Sequence, residues 1–276
     1  MKPLLVMDGD SFTHRAYHAL PRSMRRDDGG PANALTGFTD MLMRLWRDEQ
    51  PRTVLVAWDT LDVPTYRHQA LDAYQSGRVF EEELLEQLDL LPAVVGSMGF
   101  AYAKAAGYEA DDFLAAAAGQ EEAAGGTALV ATSDRDAFQL VTDRVTVLQP
   151  AKGGPARIGP SEVRERYGVD PAQVPDFIAL RGDPSDKIPG ARGIGQKRGA
   201  ELLAQYGSLD AMLDQGRFAT EADALRLYRH IATMDRDAPL PPLPDVTPDW
   251  ASAAEHATKI GASRLARRFE EALTWT

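Results

Sequence analysis

Nine carboxylates in this 276-residue chain sit where acids could act on a substrate. The first belongs to Leu4-Leu5-Val6-Met7-Asp8-Gly9-Asp10-Ser11, an apolar run that ends in an acid, a glycine and a second acid. Two chemistries use such a strand end. In one, Asp8 is a nucleophile that takes up a phosphoryl group while Asp10 handles the proton. In the other, Asp8 holds a metal ion and Asp10 is incidental. Asp59 follows a second apolar run, Val54–Trp58, and Asp134 and Asp136 follow a third, Ala128–Ala131, after a Thr-Ser step. A strand that merely stops at the surface often ends in Asp, because Asp favours turns. Three such ends in one chain are harder to dismiss.

Two clusters join them. The stretch GYEADDFLAAAA places Glu109, Asp111 and Asp112 at the start of an Ala-rich helix, and RGDPSDKIPG adds Asp183 and Asp186 in a turn-rich loop. Acids complement a helix dipole, but three in four positions exceed what capping requires. Nine carboxylates converging on one sheet edge would repel strongly unless divalent cations were present. Ligation by oxygen alone, with no His or Cys, indicates Mg²⁺ or Mn²⁺ rather than Zn²⁺. So many acids exceed one hexacoordinate ion. Two metals about 4 Å apart, clamping an in-line displacement at phosphorus, fit better.

The elements that must position these acids are short. Leu4–Met7, Val54–Trp58, Ala128–Ala131 and Val145–Leu148 read as strands. Between them, Leu35, Phe38, Leu42, Leu45 and Trp46 form one helical stripe and Glu83–Leu91 another. The alternation predicts an α/β fold with a mainly parallel central sheet flanked by helices. Ligands of such sheets bind beyond the carboxyl ends of the strands, where these acids fall. No Gly-x-Gly-x-x-Gly follows the first strand, which removes support for a dinucleotide site. Beyond about residue 160 the chain reads as helices and turns without strands. Asp235–Trp250 carries five prolines and reads as an extended connector, followed by one amphipathic helix over about 250–273.

The composition is that of a folded protein, with 44% hydrophobic and 26% charged residues. No apolar run approaches the ~20 residues of a membrane span. The apolar run after Lys2 is too short for a signal-peptide core, and without cysteine there is no disulfide or thiolate zinc site. A cytoplasmic, monomeric protein is expected. A net charge of -11 by itself argues against nucleic acid, yet setting the nine acids aside leaves 32 acidic against 30 basic residues. Charge therefore does not exclude a phosphate-backbone partner.

A phosphatase of the haloacid-dehalogenase type is the rival reading. LLVMDGDS fits its Asp-x-Asp strand end, ALVATS its second strand, and GDPSD its acidic motif. Three features oppose it. Asp186 leads into KIPGARGIGQK rather than lying at an apolar strand; Asp59, Glu109, Asp111 and Asp112 would lack a role; and the helical region downstream would be unexplained.

Nearly end to end, the chain resembles the 5′ nuclease family, which includes the N-terminal domain of bacterial DNA polymerase I, free-standing 5′ exonucleases and flap endonucleases. VMDGDSFTHRAYHAL resembles its opening motif, with Asp8, Arg15 and Tyr17 in matching places. VAWDTLDVPTYR supplies Asp59 and Arg67, and GYEADD, ATSDRDAFQL and GDPSDKIPGARGIGQK follow in order. The resemblance implies a PIN-like nuclease core over 1–160, with a helical arch over about 61–92. A DNA-binding region over 161–276 would include a helix–two-turn–helix at about 176–215. It implies a first metal site of Asp8, Asp59, Glu109 and Asp111 and a second of Asp112, Asp134, Asp136, Asp183 and Asp186. The implied reaction is phosphodiester hydrolysis on 5′ flaps, nicked duplexes and exposed 5′ ends, in DNA replication and repair. A polymerase is not expected, since the chain ends shortly after this region. A branched-DNA binder whose catalysis has decayed is the alternative, although all nine acids are present.

In GIGQKRGAELLAQYGSLDAML, Gly193 and Gly195 would let backbone amides approach phosphates, with Lys197 and Arg198 adding charge. In the arch, Tyr74 is expected as a stacking surface for an unpaired base and Arg78 as a phosphate clamp. Two departures stand out. The family commonly has Tyr-Lys in the arch, where Gln75 follows Tyr74 here, and Asp-Asn-Ile-Pro-Gly after the last acids, where Lys187 replaces Asn. Lys187 is expected to supply the phosphate charge that Gln75 cannot. Glu81, Glu82 and Glu83 would weaken grip on a threaded strand. Asp10 stands where the family carries Ser or Asn, so its carboxylate should be dispensable.

Overall fold

The structure is a computed structural model that describes residues 2–77 and 79–275. In chain order the first half comprises β1 (Leu4–Asp8), α1 (Gly9–Ala19), α2 (Asn33–Glu49), β2 (Thr53–Ala57), α3 (Tyr66–Ala70), α4 (Glu82–Ser97), β3 (Ala101–Ala103) and α5 (Ala110–Ala123). The second half adds β4 (Ala128–Ala131), β5 (Val145–Gln149), β6 (Ala156–Ile158), α6 (Pro160–Tyr167), α7 (Val174–Arg181), α8 (Gln196–Tyr206), α9 (Leu209–Asp214), α10 (Ala222–Ala232), α11 (Trp250–Lys259) and α12 (Ser263–Ala272).

Six strands form one sheet in the order β3-β2-β1-β4-β5-β6. Every pairing is parallel except β5 with β6. Both faces are buried, as a parallel sheet requires. Leu4, Val6, Leu55, Ala57, Val130 and Val147 pack on one side with residues of α5, α7 and α10. Leu5, Met7, Val54, Val56, Ala131 and Leu148 pack on the other with α1, α2, α4, α11 and α12. Each such Leu, Val or Met side chain, fully removed from water, contributes about 1.5–3 kcal/mol before conformational entropy is counted.

Strand order reverses between β1 and β4. The chain runs outward through β2 and β3, then returns to pair β4 on the opposite side of β1. That reversal opens a crevice at the carboxyl end of the sheet, the usual ligand position in open α/β folds. Asp8 ends β1 at this crevice, and Asp134 follows β4 beside it.

The structure departs from the sequence reading in three places. Strands β3 and β6 are three residues each, too short for an alternation to show. The expected helix over 250–273 is two helices, with Gly261 at φ +69° between them. This turn lets α12 fold back so that Phe269 stacks on Trp250, ring centroids 6.1 Å apart. The expected arch region, about 61–92, holds α3, a run of turns, and then the larger part of α4.

Candidate active site

A cavity of about 600 Å³ opens at the crevice. Seven of the nine predicted carboxylates line it: Asp8, Asp59, Glu109, Asp111, Asp134, Asp136 and Asp186. The other two stand behind. Asp112 is fully buried and accepts from Arg67, from the Glu109 and Asp235 amides, and more weakly from the Tyr66 hydroxyl. Asp183 shapes its own loop, accepting from the Ser185 amide and hydroxyl and from Arg181. Both are therefore supports in this structure, not groups facing the cavity.

Local sequence explains how the β1–β4 flank is held. Asp8 is both the last residue of β1 and the N-cap of α1, accepting from the Ser11 amide at 2.9 Å and from the Thr132 hydroxyl at 2.7 Å. Gly9 is required beside it, because a Cβ there would meet the Trp58 ring at 2.4 Å. Asp134 accepts from the Asp136 amide at 2.8 Å, and its own amide donates to Thr132. Asp59 accepts from the Ala110 amide at 2.7 Å, which ties β2 to the start of α5.

The opposite flank takes its partners from the rim between β2 and α4. Glu109 accepts from the Thr65 hydroxyl at 2.8 Å and from the Tyr74 hydroxyl at 3.0 Å. Arg67, 1% exposed, reaches Asp112 at 2.7 Å, Asp111 at 3.1 Å and Glu109 at 3.5 Å. A second cavity of about 380 Å³ adjoins this one, and Asp59, Tyr74, Gln75, Phe80 and Glu109 bound both.

Burial drives the electrostatics. It pushes the Asp8 carboxyl up to about 7, against the pull of its two hydrogen bonds. Burial also raises Asp136, with Asp134, Asp183 and Asp186 adding to it, and raises Asp111 despite Arg67. One oxygen of Asp111, Oδ1, is buried without a hydrogen-bond partner. Among the described residues, no three acids or histidines close around a common point as bound-metal ligands do. The donor set itself is all oxygen, mutually repulsive and partly unsatisfied, which suits hard divalent cations.

Several expected DNA contacts look inward instead. Tyr74 is 3% exposed with its hydroxyl on Glu109, so it offers no open stacking face. Arg67 is spent on three carboxylates. Tyr17 is buried and donates to Glu81 at 3.0 Å. The Lys187 ammonium donates to the backbone oxygen of Ser76 and to its hydroxyl at 2.8 Å, and Lys187 does not line the cavity. Arg78 lies outside the described residues. The acids after it are not a bare negative patch, since Glu81 pairs with Arg22 and Glu83 with Arg25.

Arg15, Lys197 and Arg198 are exposed, with Arg198 also 3.0 Å from Glu201. Gly193 has φ +76°, and neither it nor Gly195 is crowded, so the backbone ahead of α8 is open to solvent. Sequence reasoning also missed residues. Thr65, Thr132 and Ser11 orient the acids, and His14, His18 and Phe80 line the cavity. Asp10 is the clearest miss. Its carboxylate lines the cavity and accepts from the Asp59 amide at 2.7 Å, so it has a task that the sequence reading denied it.

This fold, a mainly parallel sheet with a helical C-terminal region, has counterparts among solved nucleases. The bacteriophage T5 flap endonuclease, solved as a pseudo-enzyme-product complex with DNA and metal ions, matches with TM-score 0.71 and 18% identity over 98% of this chain and 97% of that one. T5 5′-exonuclease with bound zinc ions matches with TM-score 0.69 and 19% identity over 99% of each chain. These likenesses show the fold. The family follows from sequence. Residues 3–168 match the model of the 5′-3′ exonuclease N-terminal resolvase-like domain, and 169–251 that of the 5′-3′ exonuclease C-terminal SAM fold. DNA polymerase I of Mycobacterium tuberculosis (strain ATCC 25618 / H37Rv) is 42% identical over 258 residues, covering 88% of this chain and 28% of that protein. The chain belongs to the 5′-3′ exonuclease family. It spans about 28% of the length of this curated relative.

Proposed function

We propose that this protein is a divalent-metal-dependent, structure-specific 5′ nuclease. It hydrolyses phosphodiesters in 5′ flaps, nicked duplexes and exposed 5′ ends of DNA, in replication and repair. The observation that carries this reading is the wall of seven carboxylates at the switch point of the sheet, in a chain of the 5′-3′ exonuclease family. T5 relatives of the same fold, bound to DNA or to metal ions, support it.

Asp8, Asp59, Glu109, Asp111, Asp134, Asp136 and Asp186 would hold two or more Mg²⁺ or Mn²⁺ ions. When bound, such ions offset the carboxylate repulsion, acidify water and stabilise charge at phosphorus. Water oxygen bonds to phosphorus, the bond to the 3′ oxygen breaks, and the products are a 5′-phosphate and a 3′-hydroxyl. The protein groups orient this exchange. Thr132 and the Ser11 amide fix Asp8, and Thr65 and Tyr74 fix Glu109. Residues 1–160 form the nuclease core. Residues 161–276 grip duplex DNA through the open backbone around Gly193 and Gly195 and through Lys197 and Arg198. Such contacts sense phosphate positions and read no base sequence. The protein acts as a monomer in the cytoplasm, on nucleoid DNA.

Single-turnover cleavage of a 5′-labelled flap duplex tests the reading. A product ending in 3′-hydroxyl is expected with Mn²⁺ and none with chelator. Tight binding of the flap without cleavage under any divalent ion would instead establish a DNA-binding protein.

A further inference from the structure

We propose that Gln75 and Lys187 are positioning residues that bolt the cavity rim to the Asp183–Ile188 turn, holding Glu109 and Asp186 in register. The Gln75 side-chain amide has two donor hydrogens and uses both. One reaches Asp186 Oδ1 at 3.1 Å and the other the Tyr74 hydroxyl at 2.8 Å. Tyr74 in turn donates to Glu109 at 3.0 Å. A continuous hydrogen-bond path therefore joins carboxylates on two separate elements, through two adjacent rim residues. Lys187 closes the second bolt, its ammonium on the Ser76 backbone oxygen and hydroxyl.

The two sides of this joint differ in stiffness. The turn is pinned by reciprocal backbone bonds between Asp183 and Ile188, 2.8 Å each. The glycines flanking it, Gly182 and Gly190, have φ +77° and +75° and pack backbone to backbone. The rim at 71–77 has local turn bonds, Tyr74 amide to Leu71 and Ser76 amide to Ala73, and one long backbone bond to the turn itself, the Gln75 amide to the Asp186 carbonyl at 3.4 Å. Its position thus depends on what it touches. Backbone geometry agrees: Gln75 has φ +47° and Lys187 has φ +58°. Among the described residues only four non-glycines have positive φ, and two of them meet here. Such conformations persist where the surroundings over-determine them.

A Lys187 that served as a direct phosphate contact would turn its ammonium to the cavity. Here that charge is occupied at the rim, and Lys187 acts on the carboxylates through Ser76 and Gln75. The catalytic half of the proposal rests on the nuclease reading; the structural half stands without it.

Amide hydrogen exchange on the metal-free protein tests the structural half. Exchange over 71–77 should be about tenfold faster in Gln75→Ala and in Lys187→Met, while α5 and β1 stay protected. If the two residues form one joint, the double variant should exceed either single variant by no more than about twofold. Lys187→Arg, which keeps donors for Ser76, should exchange like the wild type. In single-turnover flap cleavage with Mn²⁺, each disruptive variant should lose about tenfold in rate at saturation with its DNA affinity unchanged. Unchanged exchange at 71–77, or fully independent effects in the double variant, overturns the joint. Weakened DNA affinity with a normal saturated rate in Lys187→Met would make Lys187 a phosphate contact and also overturn it. If the wild type cleaves no flap, the nuclease reading fails while the exchange result still decides the joint. Should Lys187→Met fail to fold, Ser76→Ala, which removes one of the two acceptors, takes its place with faster exchange expected.

Discussion

Asp8 and Asp134 on one flank of the cavity are oriented by amides and a hydroxyl that lie at or just beyond the strand ends. Glu109, Asp111 and Asp186 on the other flank depend on Thr65, Arg67, Tyr74 and Gln75, side chains brought from the rim. The first flank is held close to the sheet: the Ser11 amide at the start of α1 and the Thr132 hydroxyl just past β4 hold Asp8, and the Asp136 amide holds Asp134. The second is a side-chain network whose members hold one another. Loss of one member there leaves a buried carboxylate without its counter-charge or its hydrogen-bond donor, whereas loss of an acid on the first flank removes charge that was unfavourable to bury. Substitutions on the two flanks should therefore fail in different ways.

The largest effect should come from the rim flank. Arg67→Met leaves Asp112 fully buried with its main counter-charge gone and strips Asp111 and Glu109 of theirs. Loss of one partner of such a network typically destabilises by about 3–5 kcal/mol, which urea unfolding of the metal-free protein would measure. A loss below about 1 kcal/mol would mean that water compensates these acids and that the flanks do not differ.

Asp8→Asn should show the opposite pattern. Metal-free stability should be equal or higher, since burial disfavours the Asp8 charge. Flap cleavage should fall by roughly 100-fold or more, about 3 kcal/mol of barrier, because charge stabilisation at phosphorus is lost. Adding Mn²⁺ should raise the melting temperature of the wild type more than that of the variant, as preferential binding to the folded state requires. A destabilised variant with intact cleavage would reverse the comparison.

The same division explains what could be read from the sequence. Asp8, Asp59 and Asp134 were legible because apolar runs deliver them, and parallel strands carry their carboxyl ends to one edge. Glu109 and Asp111 were legible as an excess of acids at a helix start. Asp112 and Asp183 shared those clusters, but their inward direction depends on where Arg67 and Ser185 pack, which spacing does not encode. Tyr74 was misread for the same reason. An aromatic residue in a polar stretch looks exposed until the fold places Glu109 beside its hydroxyl. Strands of three residues and the turn at Gly261 were missed because each is shorter than the period that would reveal it.

Asp10 joins the two flanks and gives the finest test of the comparison. It lies in the first turn of α1, yet its carboxylate accepts from the Asp59 amide, just past the neighbouring strand β2. The sequence reading held the charge dispensable; the geometry asks only for an acceptor oxygen. Asp10→Asn keeps that oxygen and should cleave flaps within about twofold of the wild type, since hydrogen-bond orientation is retained. Asp10→Ala leaves the Asp59 amide without its partner and should lose about tenfold, as removal of outer-shell supports of metal ligands does. The order of the two variants carries the argument. If Asp10→Asn is as damaged as Asp10→Ala, the negative charge itself takes part and Asp10 belongs with the seven acids of the wall. If neither is damaged, Asp59 is held by its place after β2 alone.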